Sequence, residues 1–366
     1  MVFSQFDDIR IAAIAASVPE RVIDIAAKLE DPEEDPKFIK NFMRNTGIRA
    51  KRRAFYDQTA GDFSFTAAKQ IMDAGYYKPE EIGVLINITQ TPDYRTPSTA
   101  MTLQKRLGIP KDCLAFDINL GCSGFVYGVS LAASILKTST ASKAIVTVGD
   151  TLARGRQNVK LKRSSNTGLL FGDASAAMLV EKSAGDSFAT ALMSDGTGHK
   201  ALSSPYNAWR HPIGPGSIPG DDIAVFNFTI SEVPDLLQKF MEAVGKTPED
   251  YDELVLHQAN MMILKNIAKR VGMPMEKVPV SLDRFGNTSG ASVPLTIVDK
   301  YGESDEDREL SLLTSAFGIG LSWGVVGFKI NVKDILPLTD GHDYYDDGYS
   351  DDVEPEKLFN DEDEEA

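Results

Sequence analysis

The sequence predicts an α/β protein made of two repeated halves, and three observations carry that reading. Apolar runs of strand length alternate with helical stretches from Ile9 to Ile330, which argues for mainly parallel sheets covered by helices. A strand-loop-helix unit from Leu85 to Ile109, closing on Leu-Gly-Ile, returns from Leu254 to Met273, closing on Val-Gly-Met. Each copy then leads through a short strand into a glycine turn: Gly121-Cys122-Ser123-Gly124 in the first half, Gly286-Asn287-Thr288-Ser289-Gly290 in the second. Internal repetition is read before other fold signals because missing it misassigns the architecture. Paired about a pseudo-twofold, the halves would bring their glycine turns together, and a site is expected in the cleft between them. The halves are expected over residues 1–182 and 183–334, with a tail at 335–366.

The elements follow in chain order. Ile9 to Ala16 is an unbroken apolar run and reads as a strand; Ser17-Val18-Pro19-Glu20 then leads into charged helical sequence. Asn45-Thr46-Gly47-Ile48-Arg49 precedes a basic cluster, Lys51-Arg52-Arg53. Helical spacing returns from Ser64 to Ala74, Ile82 to Thr89 is strand-like, and Pro92 and Pro97 mark a loop before a helix that ends at Leu107-Gly108-Ile109. Cys113 to Leu120 is the next apolar run, and beyond the glycine turn Ser123 to Leu136 reads as a buried helix. Ala144 to Gly149 is another buried strand, and Arg154 to Asn166, basic and polar, reads as a surface insertion.

Composition sets the class. With 366 residues, 42% hydrophobic and 25% charged, the chain can bury two cores. No apolar run approaches the roughly 18 residues of a membrane span. The first ten residues lack a basic region followed by an apolar core, and only two cysteines occur, so a reducing cytoplasm without a secretory signal is expected. The net charge of −15 is mostly local: Pro337 to Ala366 holds 13 acidic residues against Lys357, leaving −12 on the tail and −3 on the body. That composition predicts a disordered acidic appendage. With no basic stripe to neutralise phosphates, nucleic-acid binding is not expected.

Cys122 sits between a strand and a helix, where unpaired N–H groups and the helix dipole would favour its thiolate. Taken alone, it reads first as a small buried hydrophobe. In the other half, Val255-Leu256-His257-Gln258-Ala259-Asn260 places a histidine at the end of an apolar strand, and Asn287 occupies the turn matching Cys122. Singly, His257 could be a satisfied core residue and Asn287 a helix cap. Together, at equivalent strand ends, they point to one site.

These runs, with Phe317-Gly318-Ile319-Gly320-Leu321-Ser322-Trp323-Gly324 and, more weakly, Phe171-Gly172-Asp173-Ala174, resemble β-ketoacyl-[acyl-carrier-protein] synthase III of the thiolase-fold condensing enzymes. The resemblance spans about Ile9 to Ile330, in order. It implies a five-layered αβαβα thiolase fold, a homodimer, and decarboxylative Claisen condensation of an acyl thioester, on coenzyme A or acyl carrier protein, with malonyl-acyl carrier protein. It implies neither a metal nor a cofactor. Cys122 would carry the acyl group, His257 and Asn287 would stabilise the enolate formed as CO2 leaves, and the backbone N–H groups of Cys122 and Ile319 would form the oxyanion hole. The C-terminal loop Gly318-Ile319-Gly320 lacks the second cysteine of degradative thiolases.

Departures from the family bear on the substrate. The Trp and Arg that clamp the adenine end of coenzyme A are here Asn41 and Asn45. An aromatic residue that closes the acyl pocket across the dimer is Thr96, which leaves room for a longer chain. The carrier-docking arginine is Met262, but Lys265, Lys269 and Arg270 supply basic charge on that helix for an acidic carrier protein. Two alternatives stay open: a thiolase-fold acyltransferase that delivers the acyl group to an oxygen or nitrogen nucleophile, and a partner-dependent condensing subunit.

Overall fold

The computed structural model describes residues 1–153, 166–206, 208–212 and 220–349. The expected insertion at Arg154 to Asn166 lies outside the described residues except for Asn166.

The first half opens on β1 (Val2–Pro19), which is followed by β2 (Val22–Asp24), α1 (Pro36–Thr46) and β3 (Ala50–Arg52), the two short strands forming a separate antiparallel pair. Next come α2 (Ala60–Asp73), β4 (Ile82–Ile88), α3 (Thr99–Arg106), β5 (Leu114–Ile118), α4 (Gly124–Thr138), β6 (Lys143–Asp150) and α5 (Asn166–Leu170). The long β7 (Ala174–Ser194) serves both halves. Its first part pairs antiparallel with β6 and with β1, closing an order β5-β4-β6-β7-β1 in which only β7 runs against the rest.

The second half contains α6 (Asp222–Val244), β8 (Glu253–Leu256), α7 (Met261–Val271), α8 (Leu282–Phe285), α9 (Ser292–Tyr301), β9 (Glu309–Gly318) and β10 (Ser322–Asn331). β8 and β9 are parallel, β10 is antiparallel to β9, and the last part of β7 is antiparallel to β10. The order β8-β9-β10-β7 therefore repeats β4-β6-β7-β1 of the first half, strand for strand and direction for direction. The β6 pairing ends at Glu181 and the β10 pairing begins at Ala189, so β7 changes partners across the expected division after Lys182.

Alternating side chains on the strands separate three apolar layers. Val84, Ile86, Ile88, Val146 and Val148 of one half and Val255, Leu312 and Ala316 of the other meet around α4 and α9. Ile82, Leu85 and Ile145 turn the other way onto α2 and α3, and Leu254, Leu256, Leu313 and Phe317 onto α6 and α7. The result is the expected αβαβα sandwich, with α4 and α9 as its middle layer. Each fully buried aliphatic side chain here contributes roughly 1.5–3 kcal/mol.

Three expectations change. β1 begins at Val2, well before Ile9, because Phe6 packs on Phe188 and Phe3 on Phe240, which holds the early residues against β7. The short strand expected before the second glycine turn does not form. The Gln258 side chain donates to the Pro279 carbonyl and accepts from the Ser281 and Leu282 N–H groups, taking the backbone groups a ladder would use. The acidic tail is also not free from residue 335 onward. β11 (Thr339–Gly341) pairs in parallel with β1, Gln58 donates to the Gly341 carbonyl, Tyr345 lies over Arg106, and Tyr94 donates to Asp347. Residues 350–366 lie outside the described residues.

Candidate active site

Cys122 follows β5 through a turn in which the Gly124 N–H donates to the Gly121 carbonyl at 2.7 Å. A side chain at 121 would sit 2.4 Å from Gln90 Nε2 and would displace that amide from its contacts. Cys122 is 7% exposed and stands just before α4, whose first helical residue is Gly124. Its thiol is pushed up to about 12, chiefly by burial and further by the nearby Asp150 carboxyl. Hydrogen bonds from Ser289 and from the backbone N–H groups of Cys122 and Ile319 pull the other way without overcoming burial. The group rests as a thiol, which corrects the expectation of a standing thiolate.

The two N–H groups expected to form an oxyanion hole thus meet at the sulfur. Gly318 makes this approach possible: a Cβ there would lie 2.7 Å from the Cys122 Cβ and 3.1 Å from Sγ. The loop is held by hydroxyls, since Ser322 Oγ donates to the Ile319 carbonyl and lies 2.6 Å from Ser123 Oγ, next to Cys122.

From the second half, His257 continues β8, its N–H donating to the Ser315 carbonyl at 2.8 Å. The ring is 2% exposed, packs edge-on against Phe317, and places Nδ1 2.6 Å from Ser292 Oγ. Ser292 Oγ also accepts from the Gln258 N–H at 3.4 Å, which fixes the hydroxyl beside the ring. Burial drives the ring down to about 3, against a hydrogen bond with the Ser289 backbone, so His257 is neutral at any physiological pH. Asn287 is 5% exposed, and its Oδ1 accepts the Ser289 N–H at 2.9 Å, leaving the amide NH2 as the group able to donate to a substrate.

Ser289 joins the three. Its Oγ lies 3.9 Å from Cys122 Sγ, its backbone bonds His257, and its N–H is held by Asn287. It adopts φ +52°, a left-handed conformation that disfavours side chains by roughly 1–2 kcal/mol and persists because the surrounding hydrogen bonds fix it. Behind it, Gln90 Nε2 donates to Ser289 Oγ and to Asp150 Oδ2, both at 3.0 Å. Asp150 also accepts from the Gln90 N–H at 2.7 Å and from Thr89 Oγ1 at 3.1 Å. On the far side, buried Lys51 donates to the carbonyls of Gly168 and Phe171, and the adjacent Leu170 carbonyl accepts the Asn287 N–H. Desolvation lowers this lysine to about 8.

Cys122, His257, Asn287 and Ile319 are therefore brought together. Thr96 is not in the cluster: it is exposed, on the loop between β4 and α3. Lys265, Lys269 and Arg270 lie on the exposed face of α7. Ser289, Ser292, Asp150 and Gln90 escaped the sequence reading. An aspartate ending the apolar run Val146 to Gly149 was the available signal for a buried carboxyl; nothing local marked Gln90.

Two family models match the chain: 3-oxoacyl-[acyl-carrier-protein] synthase III over residues 116–196, and the C-terminal part of the same synthase over residues 241–330. The β-ketoacyl-[acyl-carrier-protein] synthase III of Xanthomonas campestris pv. campestris is 34% identical over 324 residues, covering 86% of this chain and 96% of the relative. The crystal structure of a 3-oxoacyl-(acyl-carrier protein) synthase from Burkholderia xenovorans superposes with a TM-score of 0.86 at 30% identity, covering 93% of this chain and 99% of that one. The priming β-ketosynthase of the R1128 polyketide pathway, 23% identical, shares the fold with a TM-score of 0.77 over 92% of this chain and 98% of its own.

Proposed function

Because the chain belongs to the β-ketoacyl-[acyl-carrier-protein] synthase III family of acyl-transferring condensing enzymes, we propose that Cys122, His257 and Asn287 carry its decarboxylative Claisen condensation. The observation behind this assignment is the contact of all three with Ser289. Cys122 Sγ attacks the acyl thioester, the tetrahedral oxyanion is received by the N–H groups of Cys122 and Ile319, and the donor thiol leaves. Each such donor is worth about 10²–10³ in rate. His257 and the Asn287 amide then donate to the thioester carbonyl of the malonyl unit and stabilise the enolate as CO2 departs. The carbanion attacks the acyl-cysteine. A neutral histidine suits this role, since it donates a hydrogen bond without needing a proton from solvent.

Malonyl-acyl carrier protein is the extender and acyl carrier protein the partner. Lys265, Lys269 and Arg270 offer it a basic face on α7. Asn41 and Asn45 at the adenine-clamp positions and Thr96 at the pocket-closing position favour a long acyl chain on carrier protein over acetyl-coenzyme A. A homodimer is supported by β5, whose one neighbour among the described strands is β4 and whose Leu114 is 55% exposed. The enzyme works in the cytoplasm; no helix among the described residues is long and apolar enough to cross a membrane.

The test is intact-protein mass after incubation with acyl donors of several lengths on coenzyme A and on carrier protein. Acyl adducts should form and vanish in Cys122→Ala, with long chains on carrier protein preferred. His257→Ala and Asn287→Ala should acylate but not condense. Malonyl decarboxylation intact in Asn287→Ala would remove that residue from the enolate role.

A further inference from the structure

The acylation step leaves a proton to be placed, and His257 is poorly suited to take it. Its Nδ1 is occupied by Ser292, and burial holds the ring neutral. Among the described residues, the other titratable group beside Ser289 is Asp150, 1% exposed at the end of β6, and no charged side chain there forms an ion pair with it. Its contacts are neutral donors: Thr89 Oγ1, the Gln90 N–H, Gln90 Nε2, Thr91 Oγ1 at 3.4 Å, and the Ser289 hydroxyl. Ser289 Oγ in turn accepts from Gln90 Nε2 at 3.0 Å and stands 3.9 Å from Cys122 Sγ. The hydroxyl therefore has the thiol on one side and the carboxylate on the other.

Taking Cys122 as the nucleophile, as argued above, we propose that Ser289 and Asp150 form a proton relay for acylation: the thiol proton passes to Ser289 Oγ as the Ser289 hydroxyl proton passes to the Asp150 carboxylate. The Sγ–acyl bond forms, the donor C–S bond breaks, and the departing thiolate recovers the proton by the same route in reverse, so Asp150 ends as it began. Gln90 is a positioning residue that holds both acceptors with one amide. Burial raises the Asp150 carboxyl above the usual carboxylate range, so its carboxylate holds a proton more tightly than an exposed one would.

Two readouts on the full-length enzyme separate a relay from a structural role: the acylation rate by intact mass, and the pH midpoint of Cys122 alkylation by iodoacetamide. Asp150→Asn should slow acylation about 10²-fold, within the range for positioned acid-base groups. The same change should move the alkylation midpoint to lower pH, because a negative charge near the sulfur is gone. Ser289→Ala should also slow acylation but move the midpoint to higher pH, because a hydrogen bond to the thiolate is lost. Wild-type acylation in either variant overturns the relay, as does slowed acylation with both midpoints unchanged or moving together. Persistence of the acyl adduct in Cys122→Ala would instead overturn the nucleophile assignment.

Discussion

The opposite shifts of Cys122 and His257 come from one cause. Both are buried where two sheets and two central helices meet, and burial favours the neutral form of each, so the thiol rises to about 12 and the imidazole falls to about 3. For His257 this has a thermodynamic consequence. Its folded value lies below the ordinary 6.5, so as pH falls from 6.5 toward 3 the unfolded chain takes up a proton that the folded chain refuses. Stability is then lost on acidification, by up to about 1.4 kcal/mol per pH unit from this group. Urea unfolding of His257→Gln at pH 5, 6 and 7 should show a shallower loss than the parent chain. Equal slopes would mean that the folded protein protonates His257.

At the scale of elements, α2 and α3 are joined by a buried ion pair that also caps a helix. Asp62 Oδ2 accepts the Thr59 N–H at 2.9 Å in a capping box at the start of α2, while Oδ1 accepts from Arg106 at 2.9 Å. Side-chain exposures of 7% for Arg106 and 2% for Asp62 place the pair out of water, and the guanidinium lies over Phe65 and Tyr345. Asp93 faces Asp62 and is lifted to about 6, mainly by its own burial. Removing Arg106 would leave an uncompensated carboxylate. Arg106→Met should therefore lose about 3–5 kcal/mol and Arg106→Lys, which keeps the charge, less. Chemical denaturation measures both, and equal losses would assign the effect to packing on the rings.

For the whole molecule, the C-terminal segment acts as a strap across the first half. It adds β11 to β1, closes Gln58, and reaches Tyr94 on the loop that carries Thr96. Net hydrogen-bond contributions of about 0.5–1.5 kcal/mol each make the strap worth a few kcal/mol. A chain ending at Pro337 should melt on the order of 5 °C lower by calorimetry. An unchanged melting temperature would show that these contacts contribute nothing.

The repeated strand-loop-helix pattern and the grouping of Cys122 with His257 and Asn287 were legible in the sequence, because apolar periodicity and glycine turns are local signals written twice; the strand order came from the structure. Composition alone misplaced the start of the free tail, since Gly341, Tyr345 and Asp347 are held by β1, Gln58, Arg106 and Tyr94, all distant in sequence. The missing strand before α8 has a similar origin: a Gln258 side chain from another element took its backbone partners. The resting state of Cys122 and the position of Asp150 behind Ser289 were decided only by the tertiary structure. Burial and neighbouring charge depend on which distant segments close over a residue, and they outweigh the helix terminus beside which the sequence places the cysteine.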